Sequence, residues 1–390
     1  MSSTNRPTVG IGLVGHAFMG RAHSHAWRSV DAFFDLPWQP VLSVLAGRDA
    51  GRAAAAAARL GWGSAVGDWK HLLEREDVDL IDICTPGDSH AEIAVAALEA
   101  GKHVLCEKPL ANTLAEAEAM AAAAERAARH GVRSMVGFSY RRVPALSLAR
   151  KLVAQGRIGA IRHVRAQYLQ DWLADPLTPM SWRLDRERAG SGALGDIGAH
   201  IIDATQFVTG EALIGVSALL DTFVTERPLP DGPGSGPVTV DDAALFLGRL
   251  SGGGLASFEA TRVATGRKNS LRLELNGTRG SLAFDLEAMN ELWFHDNTGD
   301  ADTAGFRRIL VTEPQHPYAG AWWPPGHALG YDHTFTNEVA DLIIAIAAGK
   351  DPEPTFADGL AVQRVLAAVE SSAADAGRWT TIAGDPPCDR

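Results

Sequence analysis

The chain has 390 residues, enough for two cores, and its 46% hydrophobic and 21% charged residues exclude general disorder. A formal net charge of -11 with no Lys/Arg run argues against a nucleic-acid or anionic-membrane partner. Three cysteines, Cys84 and Cys106 in apolar runs and Cys388 in a polar tail, supply neither a disulfide framework nor a metal-ligand spacing. No bound metal is therefore expected. The polar start Met1 to Arg6 is unlike a signal peptide, and no apolar run reaches membrane-spanning length, so a cytoplasmic protein is expected.

Val9 to Val14 reads as a buried strand that runs into Gly15, His16, Ala17, Phe18, Met19 and Gly20, and then into a helix from about Arg21 to Val30. Strand, glycine turn and helix start together suit a pyrophosphate, because glycines allow close backbone approach and the first helical turn offers free N–H groups. A strand-to-helix turn needs glycine for steric reasons alone, so the motif gains weight only if the strand–helix unit recurs downstream. It does. Val41 to Leu45 is a strand followed by the alanine-rich helix Ala50 to Leu60; Asp68 to Glu74 is a short helix opened by an aspartate. Val78 to Thr85, His103 to Cys106 and Ser134 to Phe138 are further strands, alternating with helices over Ser89 to Ala100 and Leu114 to His130. Such alternation predicts a doubly wound parallel sheet over residues 1–140.

In a sheet of this kind ligands bind beyond the carboxyl ends of the strands. That edge should hold Gly15, Gly47, Thr85 with Pro86 and the nearby His90, and Glu107, Lys108 and Pro109. A buried strand ending in a lysine is unusual, and it marks Lys108 as the chemical centre. At the end of the second strand, where an acid would accept from the adenosine ribose, stand Gly47 and Arg48. Without a carboxylate there, Arg48 can pair with a 2'-phosphate, which leans toward NADP over NAD. The alternative is a solvated Arg48 with Asp49 capping the next helix.

Residues 141–390 read differently. A helix opened by Pro144 leads to a strand over Ile161 to Leu169, then to a long loop carrying Trp172, Trp182 and Arg183. Gly195, Asp196, Ile197, Gly198, Ala199 and His200 follow, and on a helix Asp196 and His200 would lie about one turn apart on one face. Strand-like runs between Ile214 and His295, with hairpin signals at Gly252 to Gly254 and Asn276 with Gly277, predict a large, mainly antiparallel sheet. Glu226 to Pro237 reads as a surface excursion, and Tyr331 to Ala348 and Gly359 to Ala374 as closing helices that can pack back on the first domain.

The glycine turn, the Glu107, Lys108, Pro109 strand end and the Gly195 to His200 segment resemble, in order and spacing, the Gfo/Idh/MocA oxidoreductases over nearly the whole chain. Leu169 to Trp172, Gly190 to Asp196 and Glu259 to Arg262 look like the sugar and inositol dehydrogenases of that family. The resemblance implies a Rossmann domain, a second α+β domain, a substrate cleft between them, and a catalytic set landing on Lys108, Asp196 and His200. Ala17 for the usual middle glycine, and Gly47 with Arg48 for the usual acid, depart from the pattern.

The expected reaction moves a hydride between a secondary hydroxyl of a sugar, anhydrosugar or inositol and NAD(P). His200 would be the general base, Lys108 the cation at the oxygen, and Asp196 a positioning group; Lys108 and His200 could exchange the base role. Tyr140, Arg141, Trp172, Trp182 and Arg183 are candidates to hold a small carbohydrate or polyol, since indole faces suit sugar rings. A homo-oligomer, dimer or tetramer, is expected. Two other readings stay open: an NAD-dependent glycosidase of the same fold and a non-catalytic dinucleotide sensor.

Overall fold

The computed structural model describes residues 6–384; Cys388 and the first five residues of the polar start lie outside that range. The chain forms two compact units. The first runs to Ser139 and resumes over Gly330–Leu360; the second comprises Tyr140–Leu329 and the chain from Ala361 on.

The first unit is built from β1 (Thr8–Val14), α1 (Phe18–Phe33), β2 (Gln39–Ala46), α2 (Ala50–Leu60), β3 (Ser64–Val66), α3 (Lys70–Leu73), β4 (Leu80–Ile83), α4 (His90–Glu99), β5 (His103–Glu107), α5 (Leu114–Ala128) and β6 (Ser134–Gly137). Its six strands lie in the order β3-β2-β1-β4-β5-β6 and all pair in parallel. This is the doubly wound sheet the alternation implies. The three-residue β3 is too short to carry a periodic signal. Helix starts follow local chemistry: Asp49 caps α2 by accepting from the Arg52 N–H at 2.9 Å, and Thr113 with Glu116 closes a capping box on α5. Trp27 and Val30 on α1 are buried against Val9, Ile11 and Leu13 of β1. They pack also with Phe335, Val339 and Ile343 of α9 (Tyr331–Ala347), a helix supplied from far along the chain. Each such side chain contributes about 1.5–3 kcal/mol of burial free energy.

In the second unit α6 (Pro144–Ala154), β7 (Ile161–Leu169), α7 (Arg186–Ala189) and α8 (Ala199–Thr209) precede the strands β8 (Leu213–Asp221), β9 (Glu226–Pro228), β10 (Ser235–Pro237), β11 (Ala243–Leu250), β12 (Leu255–Thr261), β13 (Ser270–Gly277), β14 (Gly280–Asp285), β15 (Glu291–Asp296) and β16 (Arg307–Leu310). α10 (Phe356–Ala374) and β17 (Thr380–Thr381) end the described chain. Nine strands form one sheet in the order β16-β15-β14-β13-β7-β12-β11-β8-β17. Every pair in it is antiparallel except β7 with β12. The sheet is therefore mixed: β7 enters early and is flanked by two strands made much later, one running each way. The stretch Glu226 to Pro237 is not a plain excursion. It forms the β9–β10 hairpin, and Arg227 inside it is fully buried, donating to the carbonyls of Leu173 and Asp175.

Asp196 does not start an α-helix. Leu194–Gly198 forms a π-helical turn, and α8 begins only at Ala199. The start of the turn is tied to a remote partner: the Asp241 carboxylate accepts from the Gly192 N–H at 2.6 Å and the Leu194 N–H at 2.8 Å. A Cβ at Gly192 would stand 1.8 Å from the Asp241 carbonyl oxygen, so only glycine fits. With bonding to the fifth residue instead of the fourth, the turn carrying Asp196 is wider than an α-helical one, so the α-helical four-residue spacing to His200 does not carry over.

Candidate active site

The carboxyl edge of the first sheet is shaped by close approaches. Gly15 takes φ +97°, a region that favours glycine, and its N–H donates to the Ala46 carbonyl at 3.0 Å. A Cβ on Gly20 would stand 2.2 Å from the Gly15 carbonyl oxygen, so the first turn of α1 lies directly on the glycine turn. Ala17 precedes α1 as its N-cap residue, Met19 packs on the core, and the exposed Phe18 stacks on Tyr331 with ring centroids 6.2 Å apart. Bare backbone at a long helix's N-terminus is what a pyrophosphate requires, so these residues fit a dinucleotide.

Neighbouring loops complete the edge. A Cβ on Gly47 would meet the His16 ring at 2.8 Å; Arg48 beside it is exposed. Thr85 and Pro86 are tied together by Ser89, whose hydroxyl lies 2.8 Å from the Thr85 hydroxyl and 2.9 Å from the Pro86 carbonyl. The buried His90 ring faces the Thr85 carbonyl at 2.9 Å and the Pro109 carbonyl at 3.0 Å, linking the loops after β4 and β5. Glu107 is buried at the end of β5 and accepts from the Lys108 backbone N–H at 3.0 Å, and the Lys108–Pro109 peptide is cis. Gly15, Gly47, Thr85 and Lys108 thus share one edge of one unit.

The second unit has its own cluster. The His200 ring packs against Tyr140 at 4.6 Å and Tyr168 at 5.8 Å between centroids. A chain of polar contacts continues from there: the Tyr140 and Tyr168 hydroxyls lie 2.8 Å apart, the Tyr168 hydroxyl and the Gln170 amide donate to Asn269 Oδ1, and the Trp172 indole N–H donates to Gln170. Asp196 meets Arg262 at 3.5 Å; that fully buried guanidinium also lies over the Trp172 ring, 5.5 Å from its centre. The structure thus joins Tyr140, Trp172, Asp196 and His200 through Tyr168, Asn269 and Arg262. Arg183 stacks on Trp182 at 4.4 Å, and the Arg141 guanidinium is held by Asp203 and lies over Phe207.

Residues not singled out from the sequence are Tyr168, Asn269 and, in the first unit, His23 with Asp82; Arg262 entered only as the last residue of the Glu259 to Arg262 stretch, with no role of its own. Tyr168 stands near the end of β7 beside Leu169 to Trp172, and Arg262 directly follows β12, but neither residue type announces a role alone. Asp82 sits in an apolar strand run, where a carboxylate with 0% exposure is itself a signal.

A parallel sheet with a glycine-turn edge, followed by a separate sheet domain bearing a histidine–tyrosine cluster, defines a dinucleotide-dependent oxidoreductase of two domains. Residues 9–138 match the model of the oxidoreductase family, NAD-binding Rossmann fold, and residues 146–283 that of the GFO/IDH/MocA C-terminal domain. The chain belongs to the Gfo/Idh/MocA family. It is 43% identical to levoglucosan dehydrogenase of Pseudarthrobacter phenanthrenivorans over 94% of this chain and 96% of that one. The oxidoreductase domain protein from Kribbella flavida superposes with TM-score 0.95 at 68% identity, covering 97% and 100% of the two chains. A levoglucosan dehydrogenase in complex with NADH and L-sorbose superposes with TM-score 0.93 at 42% identity and the same coverage. The protein is a dehydrogenase with an NAD-binding Rossmann domain. No helix among the described residues is long and apolar enough to cross a membrane.

Proposed function

We propose that the protein oxidises a secondary hydroxyl of a sugar or anhydrosugar, with levoglucosan the first substrate to try. The observation that carries this is Lys108, set immediately beyond β5 on the same sheet edge as the glycine turn. Similarity to levoglucosan dehydrogenase over almost the whole chain supports the substrate class. Gly15, Ala17, Phe18, Met19 and Gly20 would hold the pyrophosphate, and Thr85, Pro86, His90 and Glu107 would shape the rest of the dinucleotide site. The nicotinamide supplies the hydride acceptor.

The remaining work falls to this chain's own side chains. His200 takes the hydroxyl proton, with its ring face set by Tyr140 and Tyr168. Lys108 stabilises the negative charge growing on the substrate oxygen. Asp196, beside the buried Arg262, positions a substrate hydroxyl. Trp172, Trp182 and Arg183 offer ring faces and donors to a sugar, and Arg141 acts indirectly, through its ion pair to Asp203 on α8. The NADP preference rests on the bare Gly47 and the exposed Arg48. The NADH in the levoglucosan dehydrogenase complex weighs toward NAD. Free, buried Cys84 and Cys106 suit a reducing cytoplasm. The outer face of the second sheet, where Leu219, Leu245 and Leu247 are each half or more exposed, supports a homo-oligomer.

A spectrophotometric screen tests the reading: levoglucosan, inositols and other polyols are offered with NAD and NADP separately. Reduced nicotinamide is expected to accumulate with a sugar or anhydrosugar. No reduction with any of them, beside hydrolysis of an aryl glycoside, would replace the dehydrogenase with the glycosidase.

A further inference from the structure

Behind Lys108 lies a buried cluster that the proposed chemistry does not use. His23, on the core face of α1, is fully buried. Its Nδ1 lies 2.9 Å and 3.0 Å from the two carboxylate oxygens of Asp82 on β4, and its Nε2 lies 2.9 Å from Glu107 Oε1 at the end of β5. Trp27, one helical turn further, donates its indole N–H to Asp82 at 2.7 Å, and the Cys84 thiol lies 3.6 Å from the same carboxylate. From α9 the Phe335 ring closes the site, 5.4 Å from the imidazole.

Both imidazole nitrogens face carboxylates, and carboxylates only accept. A neutral ring can donate to one of them, so the arrangement calls for an imidazolium. Burial is the strongest single influence and opposes that charge, but the charge and hydrogen bond of Asp82, with Cys84 beside it, together hold the ring's pKa well above the ordinary histidine value. His23, Asp82 and Cys84 are close enough to suggest a metal centre, yet with both ring nitrogens engaged the cluster is already complete as a charge clamp.

The clamp reaches the lysine in one step. While Glu107 Oε1 is held by His23, its Oε2 accepts from the Lys108 backbone N–H at 3.0 Å. Space is kept for that carboxylate by Gly137 on β6, where a Cβ would stand 3.2 Å from Glu107 Oε1. We propose that His23 is a positioning residue for Lys108: as an imidazolium clamped between Asp82 and Glu107, it fixes the Glu107 carboxylate and so the direction in which the chain leaves β5. The inference rests on the reading of Lys108 given above. His23 touches neither substrate nor cofactor; it acts through Glu107.

Two measurements test it. In the first, kcat, KM for cofactor and its pH profile, and thermal stability are compared for His23→Gln, Glu107→Gln, the double variant and Lys108→Ala, with levoglucosan and NAD. His23→Gln is expected to lower kcat about 10- to 100-fold with cofactor KM within about twofold, the cost of a displaced catalytic group. Because His23 works through Glu107, the double variant should be no slower than the slower single one. An unchanged kcat or fully additive losses would overturn the proposal. If instead Lys108→Ala turns over normally, the reading of the lysine fails first. The second measurement needs neither a variant nor a substrate: nitrogen NMR of the wild-type imidazoles at neutral pH should show both His23 nitrogens protonated. A single-tautomer neutral ring would overturn the clamp.

Discussion

At Gly47 the side chain that elsewhere meets an adenosine ribose is missing, and the cause is local. The His16 ring fills the space a Cβ would need, and Asp49 is spent on the start of α2. Arg48, exposed between them, is the residue on which the proposed NADP preference rests. Arg48→Ala should lower kcat/KM with NADP by about tenfold, one charge-assisted pair, and change NAD by less than about twofold. Equal effects on both cofactors, measured by initial rates, would remove Arg48 from the site. The position of Lys108, directly beyond the buried strand β5, was legible from sequence because a cation there breaks the ordinary pattern of burial. His23 was not: on α1 it reads as one more residue of a helical stripe shared with Trp27, and its carboxylate partners lie on strands far along the chain.

The alternation of strands and helices in the first half is a periodic, local signal, and it could be read directly. The turn holding Asp196 is the opposite case. Its four-residue spacing to His200 looks α-helical, but the turn is π-helical and its start is held by Asp241, which reaches it from just before the strand pair β11–β12. Asp241 is buried, and burial raises its pKa, with the two backbone N–H groups pulling it back down. Asp241→Ala would leave both N–H groups without their acceptor, at a cost of about 1–3 kcal/mol each. Denaturant unfolding should show that loss, and kcat should fall with it, since Asp196 sits on the released turn. A variant of full stability would show that the turn holds itself. The parallel pairing of β7 with β12 was equally hidden, because hairpin signals speak only for strands adjacent in sequence.

On the second sheet, cross-strand register aligns Leu219 with Leu245, and Leu245 in turn with Glu259, so an apolar end runs into a polar middle where Gln167 donates to Glu259 and Arg165 pairs with Glu274. A face that is apolar at one end and internally paired elsewhere suits a second copy of the chain. Light scattering should find the wild type oligomeric and the Leu245→Glu, Leu247→Glu double variant monomeric with unchanged circular dichroism; a monomeric wild type would refute the oligomer. The partition of the chain has a different reach. The first unit borrows α9 for its core, and the second draws Ser372 and β17 from the end of the described chain to meet β8. α10 crosses the division at Leu360. During synthesis, then, neither core can be finished until the ribosome has made nearly all of the protein. Nascent chains stalled after the glycine-turn domain would present the unfilled seat of α9 to chaperones, and an expression fragment ending near Ser139 would carry the same defect.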